Sequence, residues 1–348
     1  MRLLDLTNAK ARKALYGERG GPHLQGVLYL EAADATPGVP TVCQFAGACV
    51  QSCLTYSGGG PGGDAVHAGK RKARQERTRA WWKDRATLVA TLRSDIDDLV
   101  VAARTWSRDP PKNEIQKGFV VEAKHRFGWT GIHGDTKVVR FRDLSPTQLH
   151  QLRSLACLPA GVHYTPVVRL NGTSDVEWLT TGLPQHANEK GAKTLEYTKN
   201  PCRMARFLRI ACPVHGRSHA SGEANFPLVP SWYSHTFSMG GLYDKWIPEV
   251  LRAGGNVTMV FEKGKGVPTS FGGTIPFRTK AGMGTLRIPE TPVIDGDTDD
   301  LRFLDEAEKK QRGIRGGCIV GLRFKAVTDP GAARALASSS PRSIRSAR

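Results

Sequence analysis

Short apolar segments, each followed by polar residues, glycine or proline, recur along the second half of the chain. They lie at 167–170, 194–197, 233–237, 256–261, 292–294 and 318–324. Stretches with helical character separate several of them, at 204–210, 243–252 and 301–311. Strands of this length that alternate with helices are typical of a parallel sheet. We therefore predict an α/β fold, a complete or partial parallel (β/α) barrel of the TIM or radical-SAM type with insertions.

Polar side chains follow most of these strands. The carboxyl ends of parallel strands share one edge of the sheet, and ligands bind at that edge. Each such residue alone is a common turn or cap former, so only their recurrence indicates a site. The residues placed at this edge are Asn171, Ser174, Asp175, Thr198, Lys199, Ser238, Asp295 and Asp297.

Three of the seven cysteines fall within eleven positions, as Cys43, Cys49 and Cys53. A predicted strand at 26–33 and a Pro/Gly-rich loop at 34–40 precede these cysteines. The cysteines are therefore expected at the same edge of the sheet. Three thiolates on one loop suit an iron–sulfur cluster with one open iron. Structural zinc is the alternative, and would need a fourth ligand such as His67.

The composition predicts a large folded core and an anionic partner, and it argues against a membrane-spanning protein. With 39% hydrophobic and 24% charged residues, the 348-residue chain can bury a large core. Its formal charge of +18 favours nucleic acid or a phosphate-bearing small substrate. No apolar run reaches the length of a membrane span, and no signal-peptide core follows Met1. We expect a soluble cytoplasmic protein, in the host cytoplasm if it is phage-encoded.

A long basic helix is predicted at 70–106, with a break near Asp84. No proline or glycine interrupts it after residue 69, and its apolar residues share one face. Lys70, Arg74 and Arg77 lie on the apolar side, where Arg74 and Arg77 are candidate cofactor contacts. The opposite set, expected to contact only a long polyanion, is Lys72, Arg79 and Lys83.

A second cysteine and histidine group is a candidate zinc site, although its spacing matches no standard zinc finger. Its members are Cys202, Cys212, His215 and His219. Cys157 and Cys318 lie in apolar sequence and are interpreted as core thiols.

The chain divides into four parts. Residues 1–106 form the N-terminal part of the barrel, and 165–330 form the remainder. Between them, 107–164 is an inserted basic segment, and its interleaved aromatic residues form its own small core or stack on bases. Residues 331–348, rich in serine and arginine, are predicted to form a disordered tail.

Three motifs occur in one order: Cys43-x5-Cys49-x3-Cys53 followed by Tyr56 and glycines, the stretch 169–175 (RLNGTSD), and 197–201 (YTKNP). Together they resemble phage proteins of the "gene product 88" family. They also resemble phage radical-SAM-like proteins with a clustered-cysteine "CYA" loop. The resemblance covers 42–325 apart from 107–164 and 212–227. The spacing of the three clustered cysteines departs from the CxxxCxxC of most radical-SAM enzymes. The next strand also lacks the Gly-Gly-Glu that would hold the methionine amine.

The resemblance implies a barrel with a 4Fe-4S cluster at its mouth and S-adenosylmethionine on the open iron. By position, the three clustered cysteines would be the cluster ligands, and Asp175 and Lys199 would line the cavity. Of the edge residues, Asp175, Lys199 and Asp297 are the catalytic candidates. The remaining candidates, for cofactor contact, are Asn171, Ser174, Thr198 and Ser238.

Three functions are compatible with these features. The first is a phage-type radical-SAM-like enzyme that modifies nucleic acid or a nucleotide precursor. The second is a barrel transglycosylase that exchanges a base, with Asp175 and Asp297 as nucleophile and acid/base and structural zinc on the cysteines. The third is a zinc-bearing nucleic-acid-binding protein without catalysis.

Overall fold

The computed structural model describes residues 3–6, 11, 14, 19, 22–31, 36–46, 63–108, 163–216, 228–261, 266–279 and 282–323. Cys49, Cys53, Cys157 and His219 lie outside the described residues, as do most of the inserted segment and all of the tail. Among the described residues, no helix combines the length and apolar character that a membrane crossing requires.

Nine strands of the described residues form one sheet. In chain order they are β1 (Leu4–Asp5), β2 (His23–Leu28), β3 (Thr165–Arg169), β4 (Lys193–Thr198), β5 (Tyr233–Ser238), β6 (Asn256–Phe261), β7 (Ser270–Thr279), β8 (Gly282–Asp295) and β9 (Ile319–Arg323). Their spatial order is β1-β2-β3-β4-β5-β6-β9-β8-β7. Pairing from β2 to β8 is parallel, and the two outer pairs are antiparallel.

The predicted parallel sheet is confirmed. The pairings among the described residues form an open series with β1 and β7 at its ends, so they do not show the closure that a complete barrel requires. Six predicted strands correspond to β3, β4, β5, β6, the end of β8, and β9. The sequence did not predict β1, β7 or the first part of β8.

Six helices occur among the described residues. They are α1 (Gly63–Lys83), α2 (Arg85–Trp106), α3 (Leu183–Glu189), α4 (Pro201–Leu208), α5 (Ile247–Arg252) and α6 (Asp305–Gln311). The predicted break at Asp84 is confirmed, because its carboxylate accepts a hydrogen bond from the Thr87 amide (3.3 Å) and caps α2. Asn200 caps α4 in the same way, and Pro201 fixes its first turn.

Helices α1 to α5 pack on one face of the sheet. Trp81 and Leu92 bury their side chains with Val168 of β3. Further along the sheet, Met204 and Val250 pack with the strands β5, β6, β8 and β9. Burial on both faces is usual for a parallel sheet and explains the near-continuous burial of β2 and β3.

The opposite face is covered by the segment 299–311, which contains α6. Leu301 packs on Val167 and Leu195. The Arg169 guanidinium forms a buried ion pair with Asp300, and the Tyr197 hydroxyl donates to the same carboxylate (2.9 Å). Charged and apolar groups therefore hold this segment against the centre of the sheet.

Candidate functional site

The described part of the cysteine loop lies across the carboxyl edge of the sheet. The Asp175 amide donates to the Val42 carbonyl (2.9 Å), and the Cys43 thiol donates to the carbonyl of Thr173 (3.6 Å). Three residues on, Ala46 forms an isolated bridge with Gly241, after β5. Cys43 is half-buried and lies beside the turn that follows β3, as the strand pattern predicts.

Asp175 is held by β4 and α4. Its carboxylate accepts hydrogen bonds from the Thr198 hydroxyl (2.8 Å), the Lys199 amide (2.8 Å) and the Arg203 guanidinium (2.9 Å). Only 7% of its side chain is exposed. Asp175 is therefore a buried, paired carboxylate that links the turn after β3 to the start of α4.

Asn171 and Ser174 organise the turn after β3. The Asn171 amide nitrogen donates to the Val176 carbonyl (2.9 Å) and to Glu196 (2.6 Å). Its amide oxygen accepts from Ser174 (2.8 Å) and from the Trp178 indole (3.0 Å). These contacts are within the protein, so both residues act in this structure as turn formers beside the site.

Lys199 links the ends of β4 and β5. Its ammonium donates to the Ser238 hydroxyl (3.2 Å), and its stem packs against Gly241. Asp244, on the following turn, accepts from the amides of Gly240 and Gly241 (both 3.0 Å). Burial raises the pKa of Asp244 to about 6, while these amides and Lys199 oppose the shift. Lys199 and Ser238, which the strand pattern places at the same edge, are therefore in direct contact.

A buried ion cluster surrounds Arg203, and the sequence did not predict it. The Arg203 guanidinium contacts Asp175, Glu177 (3.3 Å) and Glu196 (3.4 Å). Arg206, one helical turn further, pairs with Glu177. The available signal was the sequence of α4, where two arginines three positions apart lie on one face of a short, otherwise mostly apolar helix.

Charge balance in this cluster favours a protonated Glu196. Three carboxylates face two guanidinium groups, so one neutral carboxyl balances the cluster. Burial raises the pKa of Glu196 to about 8, although Arg203, the nearby Tyr233 hydroxyl and the hydrogen bond from Asn171 oppose the shift. Burial and the Arg203 charge lower the pKa of His235 to about 3, so its imidazole is neutral.

Glu196→Gln is expected to remove a pH dependence of stability. A folded-state pKa above the unfolded value of 4.5 gives a contribution that is complete below pH 4.5 and is lost as the pH rises through about 8. Between pH 5 and 9, the melting temperature of the variant should therefore rise relative to the native protein. Glu189→Gln, at an exposed position, is the control. An equal change of melting temperature with pH in the native protein and in Glu196→Gln would contradict the raised pKa of Glu196.

Two of the three inward cations of α1, Arg74 and Arg77, lie close to the sheet. The Arg74 guanidinium lies 5.2 Å from the centre of the Tyr29 ring, and Arg77 donates to the Tyr29 carbonyl (3.3 Å). Tyr29 follows β2 directly, so both arginines are near the carboxyl edge. Lys70 is instead exposed. Of the outward set, Lys72 and Lys83 are exposed and Arg79 is half-buried.

Asp297 lies apart from these residues. Its carboxylate accepts from the Arg323 amide (2.6 Å), and Asp295 pairs with the Arg323 guanidinium (2.6 Å). In the strand order, β8 is four steps from β4, each about 4.8 Å. The contacts of the described residues do not bring Asp297 to Asp175.

A small pocket of about 190 Å³ opens between the cysteine loop, the α1–α2 junction and α4. It is below the roughly 300 Å³ of the smallest typical ligand pockets. Its lining includes Val42, Gln44, Trp82, Arg85, Asp175 and Arg203.

The second predicted metal group is brought together in part. Cys202, Cys212 and His215 lie with their ligand atoms within 4.8 Å of one another. Cys318 is buried, and its thiol donates to Asn256 (3.3 Å), in agreement with a core position. Comparison of the chain with protein-family models, with curated proteins and with solved structures gave no match.

Proposed function

We propose that this chain is an iron–sulfur enzyme of the radical-SAM-like type, built on a partial (β/α) barrel, that modifies nucleic acid or a nucleotide precursor. One observation carries the proposal. The loop that contains Cys43 lies on the carboxyl edge of a parallel sheet, in contact with the turn that leads to Asp175. Catalytic groups of α/β enzymes are found at this edge.

The Cys43 environment fits a cluster ligand. The thiol is half-buried and lies in a loop, outside the centres of the buried cores. The donor set of Cys43, Cys49 and Cys53 would hold three irons of a 4Fe-4S cluster and leave the fourth to S-adenosylmethionine. A cluster bound there would supply one-electron chemistry that side chains do not provide.

The chain's own residues would then bind and orient the substrate. The Lys199 ammonium, placed by Ser238, suits a carboxylate or phosphate oxygen at the edge of the sheet. Asp175 fixes the backbone of Lys199 and the guanidinium of Arg203. Exposed cations on α1, such as Lys72 and Lys83, suit the phosphates of a longer nucleic acid.

The base-exchange alternative has less support. It requires Asp175 and Asp297 to flank one substrate. Asp175 is fully engaged with Thr198, Lys199 and Arg203, and Asp297 pairs at the end of β8. The non-catalytic zinc protein keeps one supporting observation, the group of Cys202, Cys212 and His215.

Metal analysis of protein purified without oxygen tests the proposal. We expect a brown protein with roughly four iron and four sulfide per chain. S-adenosylmethionine should change the electron paramagnetic resonance spectrum of the reduced cluster, because it binds the open iron. A colourless protein that contains zinc but neither iron nor sulfide would overturn the proposal.

A further inference from the structure

A second group of metal-ligating side chains lies beside α4, separate from the clustered cysteines. Cys202 is in the first turn of this helix, and Cys212 and His215 follow its end. The His215 Nδ1 atom is 3.6 Å from the Cys202 sulfur and 3.7 Å from the Cys212 sulfur. All three ligand atoms lie within 4.8 Å of one another. Cys202 and Cys212 are ten positions apart in the sequence, so the fold brings them together.

These distances fit tetrahedral coordination by zinc. With Zn–S of about 2.3 Å and Zn–N of about 2.0–2.1 Å, a tetrahedral angle places sulfur and nitrogen roughly 3.6 Å apart. Both measured sulfur–nitrogen distances agree with that value. Nδ1 is therefore already at ligand distance from both thiols without movement of the backbone.

One left-handed residue and several backbone hydrogen bonds fix the path of the chain between Cys202 and His215. Arg209 adopts a left-handed conformation (φ 59°) and ends α4, and the Ile210 amide returns to the Ala205 carbonyl (3.0 Å). The chain then reverses toward the first turn of the helix. The Gly216 amide donates to the Cys212 carbonyl (2.8 Å) and closes the turn that presents His215. Backbone hydrogen bonds therefore hold Cys212 and His215 in one turn, beside Cys202.

We propose that Cys202, Cys212 and His215 form a zinc site beside the first turn of α4. Two thiolates and an imidazole in tetrahedral arrangement favour zinc over magnesium or calcium, which prefer oxygen ligands. Cys212 is buried and His215 is exposed, so the fourth position opens toward the surface. The site would fix the first turn of α4, from which Arg203 reaches Asp175.

The site is independent of the iron–sulfur proposal, since it shares no ligand with the clustered cysteines. Two other arrangements of the same residues are chemically reasonable. One is a disulfide between Cys202 and Cys212, and the other is a cysteine–histidine pair without metal. Metal content and the oxidation state of the thiols separate these from the zinc site.

Full-length native protein, His215→Gln and Cys202→Ser are compared for bound zinc and for cobalt(II) binding. We expect about one zinc per native chain, and near zero in both variants. Cobalt(II) added to metal-free native protein should give a sulfur-to-metal charge-transfer band that both variants lack. Cys318→Ser, which changes a thiol outside the group, should keep the zinc. His215 is exposed, so its variant is expected to fold.

Iron content is measured in the same samples. Loss of zinc with unchanged iron supports this site whether or not the iron–sulfur proposal holds. Unchanged zinc in His215→Gln and Cys202→Ser would overturn it. A Cys202–Cys212 disulfide in protein as purified, with no zinc bound, would overturn it as well.

Discussion

Arg203→Met is expected to lower the free energy of unfolding by about 3–5 kcal/mol, as found when one partner of a buried ion pair is removed. The Arg203 side chain is 1% exposed and contacts Asp175, Glu177 and Glu196. Methionine fills similar space but leaves these carboxylates without their shared cation. Urea or guanidinium unfolding followed by circular dichroism measures the loss. The unfolding midpoint should fall.

Arg252→Met is the matched control. Arg252 pairs with Glu249 one helical turn away, but its side chain is 65% exposed. The same substitution there should change stability by no more than about 0.5 kcal/mol. Equal losses in the two variants would contradict the buried cluster. Asp175→Asn should also destabilise, since it removes the charge that faces Arg203.

On the proposed function, Cys43→Ser is expected to remove iron and sulfide completely. A hydroxyl is a poor replacement for a thiolate in an iron–sulfur cluster, and a three-cysteine loop has no spare ligand. Purification without oxygen, followed by iron and sulfide analysis and visible absorption, measures the loss. Cys49→Ser and Cys53→Ser should behave in the same way.

Two variants control this experiment. Cys318→Ser changes a buried thiol in the core and should keep its iron. His215→Gln should keep its iron while losing its zinc. Iron retained at the native level in Cys43→Ser would contradict the ligand assignment.

Much of the sheet could be predicted because its strands are short, apolar and clearly ended. Thr198 is followed by the Asn200–Pro201 helix start, and Ser238 by two glycines. The β7–β8 hairpin could not be predicted by the same reasoning. Gly272, Gly273 and Pro276 interrupt β7, and such residues ordinarily indicate turns. Cross-strand pairing keeps this segment extended despite them.

The site was predictable only where the strand pattern itself determines position. Cys43, Asp175, Lys199 and Ser238 lie at one edge because each ends or follows a parallel strand. Arg203 was missed, because a charged residue in a helix usually faces solvent, and two arginines on one face of α4 do not by themselves identify their partners. Its partners lie in other elements, so the ion cluster depends on tertiary packing, which sequence periodicity does not describe.

The segment that covers the second face of the sheet determines from which direction a substrate can approach. Leu301 and Asp300 occupy the space beside Val167 and Arg169 that an open barrel would leave to a ligand. With this face covered, the carboxyl edge, where Lys199 and the described part of the cysteine loop lie, is the side from which we expect a molecule to reach Lys199. Enzymes that act on a base inside a duplex first turn the nucleotide out of its strand. On the proposed function, single-stranded or flipped nucleotides are accordingly the substrates that this edge admits.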